Sequence, residues 1–173
     1  MNFNIYQALF KFIKNFSFLA LFFVSCLAKN YAHYELKLNN GKIIKTYIAN
    51  NDQARSKGLS GVKNNQFQKN EAMLFYFPEV GARKFWMPDT YFNLDIFFLD
   101  SNLKVIDIQR NVKHHIGRQN PHTIPTTKIV YSRHVLEMRA DSELSKSIKI
   151  GDKLIWKSND ELSKIKSSTH PLQ

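Results

Sequence analysis

The sequence predicts a mainly-β domain (α+β in a minor part), an antiparallel sheet curled into a small barrel or sandwich and carrying one or two short helices. Three observations point there. Short alternating or apolar runs recur along the chain, most connections between them are of hairpin length, and only two stretches carry the caps of a helix. With 173 residues, 43% of them hydrophobic and 23% charged, the chain has the composition of a folded protein with one core.

Taken in order, Tyr34-Glu35-Leu36-Lys37-Leu38 alternates apolar and charged residues, which is the period of a half-buried strand. Asn39-Asn40-Gly41 is a turn signal, and Lys42 to Ile48 returns as the second strand of a hairpin. Asn50-Asn51-Asp52 offers capping side chains ahead of Gln53 to Lys57, a short helix that should end at Gly58. Ala72 to Phe77 is continuously apolar and reads as a central strand stopped by Pro78. Glu79 to Lys84 reads as a tight connection into Phe85-Trp86-Met87.

Pro88 cannot donate to a ladder, so extended pairing should break there and Asp89-Thr90 should turn the chain. Phe92, Leu94, Ile96 and Phe98 then form one apolar face of a strand, with Asp95 on the other face. Asp100-Ser101-Asn102 turns it into Val105 to Ile108. Arg110 to Thr126 shows no period and reads as a long loop. Strands follow over 129–131 and 135–138. Ser142 to Lys146 should form a short helix capped by Asp141 or Ser142, and 153–156 a last strand. Residues 157–173 read as a polar tail that frays. The domain is therefore expected over 33–156, as a monomer.

The N-terminus reads as a secretory signal over residues 1–28. Lys11 and Lys14 precede the apolar run Phe16 to Val24, and the small residues Ser25 and Ala28 follow. That run is shorter than the ~20 residues of a spanning helix, so no transmembrane helix is expected in the mature chain. The expected location is the periplasm or cell envelope. Cys26 is the only cysteine, which excludes an internal disulfide framework. It either leaves with the signal or, since Val24-Ser25-Cys26 resembles the end of a lipoprotein box, carries a lipid.

Residues 85–87 with Leu94-Asp95-Ile96, and then Val135-Leu136-Glu137 and Gly151-Asp152, resemble in order the signature of the DUF192 (UPF0127) family. Arg55 followed by Gly58-Leu59 resembles it too, although Ser60 stands where methionine is common. Pro88-Asp89 stands where Lys-Asn is common. The resemblance covers roughly 34–156 and implies an uncharacterised bacterial or archaeal domain with no assigned reaction.

The sequence holds no Walker loop, dinucleotide glycine fingerprint, Gly-x-Ser-x-Gly elbow, His-Glu-x-x-His or Cys-x-x-Cys. No cofactor is expected. Asp89, Asp95 and Glu137 are the acids best placed for chemistry, because each is flanked by apolar residues and desolvation raises a carboxyl pKa. They could serve a hydrolase as an acid–base pair. Equally, Asp89 could cap a turn while Asp95 and Glu137 meet arginines such as Arg55 or Arg83. Trp86, Met87 and Thr90 could line a pocket or fill the core.

The formal charge is +11, and removal of 1–28 takes away only two lysines. Between Ile108 and Leu136 lie Arg110, Lys113, Arg118, Lys128 and Arg133 with His114, His115, His122 and His134, and no acid. That span suggests a surface for an anionic glycan, a lipid headgroup or an anionic small molecule. No metal site is expected, since His114 or His115 with His122 lack a third ligand. Nucleic acid is not expected either, for want of a binding module. The leading expectation is thus a non-catalytic ligand- or surface-binding module.

Overall fold

The computed structural model describes residues 33–165; the expected signal, Cys26 and residues 166–173 lie outside them. The sheet begins with the expected hairpin, β1 (Tyr34–Lys37) against β2 (Ile43–Ala49). Helix α1 (Asp52–Lys57) follows; Asn51 Oδ1 accepts from Ala54 N at 2.8 Å and caps it. Then come β3 (Glu71–Phe75), β4 (Gly81–Arg83), β5 (Leu94–Leu99) and β6 (Val105–Val112). The chain continues through β7 (Val130–Ser132), β8 (His134–Arg139), α2 (Glu143–Ser147) and β9 (Ile155–Trp156).

Seven strands form one curled half-barrel sheet in the order β6-β5-β8-β3-β2-β1-β9. Its pairs are antiparallel with one exception, because β2 and β3 run parallel from Lys45↔Glu71 to Ala49↔Phe75. A parallel neighbour needs a long crossover, and α1 with the loop after it supplies one. The expectation of an antiparallel sheet fails at that pair alone.

Both faces of the sheet are covered, which accounts for strands buried along their whole length. On one face Leu36, Ile44, Leu74, Phe97, Leu136 and Met138 pack with Ile148 and Leu154 beyond α2. On the other, Tyr47, Met73, Phe75, Leu94, Ile96 and Phe98 pack against Leu59, Phe67, Met87 and Phe92. Full burial of each such side chain contributes about 1.5–3 kcal/mol. Asp95 and Glu137 are on neighbouring central strands but on opposite faces, since Asp95 pairs with Met138 and Glu137 with Ile96.

Three segments differ from the sequence expectation. The connection before Phe85 contains β4, which pairs with β7 in a separate ribbon, Gly81↔Ser132 to Arg83↔Val130. Strand β6 runs on to Val112, into the stretch expected to be loop. The polar tail does not fray at once, because Ile165 is buried in the first core with Leu162 against it. Only two residues of the last strand pair, with Leu36 and Lys37.

Candidate functional site

The turn from Phe85 to Thr90 is held by the long loop opposite it. Phe85 O accepts from Thr127 N at 2.8 Å, Met87 N donates to Pro125 O at 3.0 Å, and Thr90 N donates to His115 O at 2.9 Å. Asp89 occupies the left-handed region at φ 51°, which aspartate tolerates better than most residues. Its N–H donates to Gly117 O at 2.7 Å, and its Oδ1 accepts from Gly117 N at 3.3 Å. Asp89 is therefore a turn residue, as the structural reading expected. The loop is a strap for the turn and not a free connection.

This strapping sets Met87 fully in the core and leaves Trp86 half exposed (50%). Thr90 is buried, and its hydroxyl donates to Met87 O at 2.9 Å. Between the turn and the C-terminal end of α1 runs a narrow slot of about 40 Å³, room for a group the size of a water or a methyl. Phe75, Phe85, Trp86, Met87 and Leu94 wall it, and Glu137 is among its lining residues. Gly58 closes one side at φ 47°, where a Cβ would come within 3.0 Å of the Phe75 ring.

Glu137 is 4% exposed, and no hydrogen bond or ion pair reaches its carboxyl from the described residues. Burial pushes its pKa up to about 8. Among the described residues no arginine pairs with it. A second buried glutamate, unforeseen from the sequence, shows the contrast. Glu71 accepts from Lys45 Nζ at 2.9 Å, Tyr47 Oη at 2.9 Å and Gln68 N at 2.7 Å. Burial raises its pKa, but the Gln68 N–H, the Lys45 ammonium and the Tyr47 hydroxyl outweigh it and hold Glu71 below the ordinary value. Glu71 is a satisfied structural acid; Glu137 is not.

The slot opens into a wider groove of about 280 Å³, with Arg55, Ser56, Phe75, Phe85 and Trp86 common to both. Phe77, Arg83 and Lys84 complete the outer wall. Arg55 and Arg83 lie over the Phe77 ring, their guanidinium carbons 5.1 and 3.7 Å from its centroid. Among the described residues no acid other than Glu137 lines the slot, and Asp52, bound to Arg55, is the only one at the groove.

Asp95 belongs to a different depression, a broad polar bowl of about 660 Å³ that it shares with Arg110 and His114. Its carboxylate accepts from Arg110 Nη1 at 2.7 Å, Asn111 N at 2.8 Å and Ser145 Oγ at 2.6 Å. The arginine expected beside Asp95 is thus present, as Arg110 and not Arg55 or Arg83. Asp141, also in the bowl, is bound by Arg139, which holds it far below the usual carboxylate range. Asp89, Asp95 and Glu137 are therefore not one constellation.

Much of the basic span is engaged internally. Arg110 is on Asp95, Lys128 is 2.9 Å from Asp107, and Arg118 donates to Ser60 Oγ at 2.9 Å. His114 Nδ1 is 2.7 Å from Asn93 Oδ1, and His115 Nδ1 is 3.3 Å from Gly117 O. His134 is buried against Tyr76, and burial with Arg133 and Arg83 nearby lowers its pKa to about 4. Lys113 is exposed and lines neither depression. Sequence reasoning missed Arg55, Phe75 and Arg83 as groove residues; only the Arg55…Gly58-Leu59 motif signalled that α1 belongs here.

The comparisons agree with this picture of the fold. The model of the DUF192 family (Uncharacterized ACR) matches residues 35–156. A solved chain from Sinorhizobium meliloti 1021, provisionally described as a transcription regulator, is 26% identical with a TM-score of 0.58. The match covers 73% of this chain and 95% of that one. A protein of unknown function from Novosphingobium aromaticivorans DSM 12444 is 22% identical with a TM-score of 0.59, over 76% and 90% of the two chains. No curated protein matches.

Proposed function

This chain belongs to the DUF192 family, and on that footing we propose that its domain is a non-catalytic binding module for a small ligand seated between α1 and the Phe85–Pro88 turn. One observation carries the reading. Glu137 is a largely buried carboxyl with no hydrogen bond from the described residues, at a slot opening to solvent past a half-exposed tryptophan. An unpartnered buried polar group costs about 1–3 kcal/mol, and a ligand group in the slot offsets it. A neutral carboxyl both donates and accepts, so an alcohol, amide or acid end suits it. The aromatic walls suit an apolar body.

A small molecule is favoured over an anionic glycan or lipid headgroup on the 110–133 span, because Arg110 and Lys128 already hold acids there. Regulation of transcription is not adopted from the Sinorhizobium chain, since the α-helices among the described residues, of six and five residues, offer little to a major groove. Export through residues 1–28 remains part of the proposal. A second reading, a hydrolase-type enzyme, is favoured only by Glu137 itself, protonated at neutral pH as a general acid must be. The slot brings it no second acid.

Ligand-observed NMR with small aromatic and aliphatic alcohols, amides and acids tests the binding reading. Those that bind should shift the Met87 methyl and the Trp86 indole, and should weaken with Trp86→Ala. Binders that leave both residues unmoved would overturn it.

A further inference from the structure

Around Phe77 the fold gathers positive charge that it does not neutralise. Arg55 Nη1 donates to Tyr76 O at 2.9 Å, Arg83 Nη2 to Glu79 O at 2.6 Å, and Arg133 Nε to Phe77 O at 2.9 Å. These acceptors are backbone carbonyls, which fix the guanidinium groups but leave their charge in place. Among the described residues the one acid paired within the cluster is Asp52, whose side chain is 99% exposed on Arg55. Arg83 has no ion pair among the described residues, and its Nε–H is buried with no acceptor at all. Burial, then the nearby Arg55 and Arg133, lower the Arg83 pKa, so the crowding acts against the protein alone. Lys84 adds a further cation to the groove wall. Elsewhere in this chain Glu71 and Asp95 sit against Lys45 and Arg110.

We propose that the groove between α1 and β4 is an oxyanion subsite, in which Arg83, Arg55 and Lys84 hold the carboxylate or phosphate head of a small aryl or alkyl acid. This rests on the binding reading above and adds the chemical class of the ligand. The head lies at the groove wall on the arginine forks, which suit planar or tetrahedral oxyanions. The apolar body lies against Phe85 and Trp86, and a hydroxyl at its far end enters the slot, which has room for a group that small, and meets Glu137. A free inorganic anion makes only the first of these contacts.

The test is a titration of the protein with 4-hydroxyphenylacetate, 4-hydroxyphenyl phosphate and inorganic phosphate, followed by the Arg Nε–H NMR signals and the Met87 methyl. Saturable shifts of Arg83 Nε–H are expected with both phenyl compounds, stronger than with inorganic phosphate, and reduced by added salt. Whichever phenyl compound binds more tightly identifies the head group. Arg83→Gln should weaken binding roughly tenfold, the loss of one charge-assisted hydrogen bond. Lys84→Gln, at an exposed position, should weaken it less and guards against misfolding of the first variant. If no probe moves Arg83, or if both variants bind like wild type, the oxyanion subsite is wrong. Arginine shifts without Met87 shifts would keep the anion subsite and overturn the slot. Met87 shifts that survive both substitutions would do the reverse.

Discussion

Replacing Glu137 by glutamine should abolish the fall of stability with pH above neutrality. The folded carboxyl, raised by burial to about 8, keeps a proton that the unfolded chain releases near the ordinary 4.5. Folding stability therefore falls as pH rises through that window and stops falling above it. His134 works in the opposite sense. Burial, Arg133 and Arg83 lower it from 6.5 to about 4, so its penalty grows as pH falls below 6.5. Between 4.5 and 6.5 the two slopes oppose each other. Between pH 6.5 and 8 Glu137 acts without that opposition, and at about 1.4 kcal/mol per pH unit the wild type should lose about 2 kcal/mol.

Glutamine is nearly isosteric with the protonated acid and does not titrate. Glu137→Gln should match wild type near pH 4.5 and be flat from 6.5 to 8. Urea unfolding at half-unit steps of pH reads both curves. Parallel curves for the two proteins across pH 6.5 to 8 would mean that Glu137 has a hidden partner, and the reasoning would fail.

Asp95→Ala should cost about 2–4 kcal/mol in denaturant unfolding, since Arg110, Asn111 N and Ser145 Oγ all lose their acceptor. A change within ~0.5 kcal/mol would contradict that pairing. Gly58→Ala should destabilise by about 1–2 kcal/mol or more, from positive φ and the Phe75 ring at 3.0 Å, and should perturb the Phe75 ring signals. Protein recovered from its native host should begin at or shortly after Cys26 by intact mass; a chain retaining residues 1–28 would count against export.

The sequence made most of the strands legible because period-two runs, Asn-Gly turns and the Asn51 cap are local signals. The Asp52–Lys57 helix ended at Gly58 as read, and the face alternation of Leu94 to Leu99 separated Asp95 from the apolar positions. The parallel β2–β3 pair was not legible, because strand order is decided by which edge the crossover reaches and no local residue encodes that. The three-residue β4 carries too few side chains to announce itself.

The site was half legible for the same reason. Glu137 was named from its apolar flanks, and Trp86, Met87 and Thr90 as residues of a pocket or the core; all four line one slot. Asp95, chosen on the same signal, lies on the other face with a full set of donors. Apolar flanks mark burial, but only the fold decides which buried acid finds a partner. Arg110 was counted as surface charge because its partner lies fifteen residues earlier, across a hairpin.

The central claim is that Glu137 is an unpaired acid at a ligand slot, and carboxyl-¹³C NMR of that residue tests it most directly. A titration midpoint near pH 8 is expected in the free protein, with a saturable change in the Glu137 signal when 4-hydroxyphenylacetate or 4-hydroxyphenyl phosphate is added. A midpoint near 4.5 that neither compound alters would contradict it.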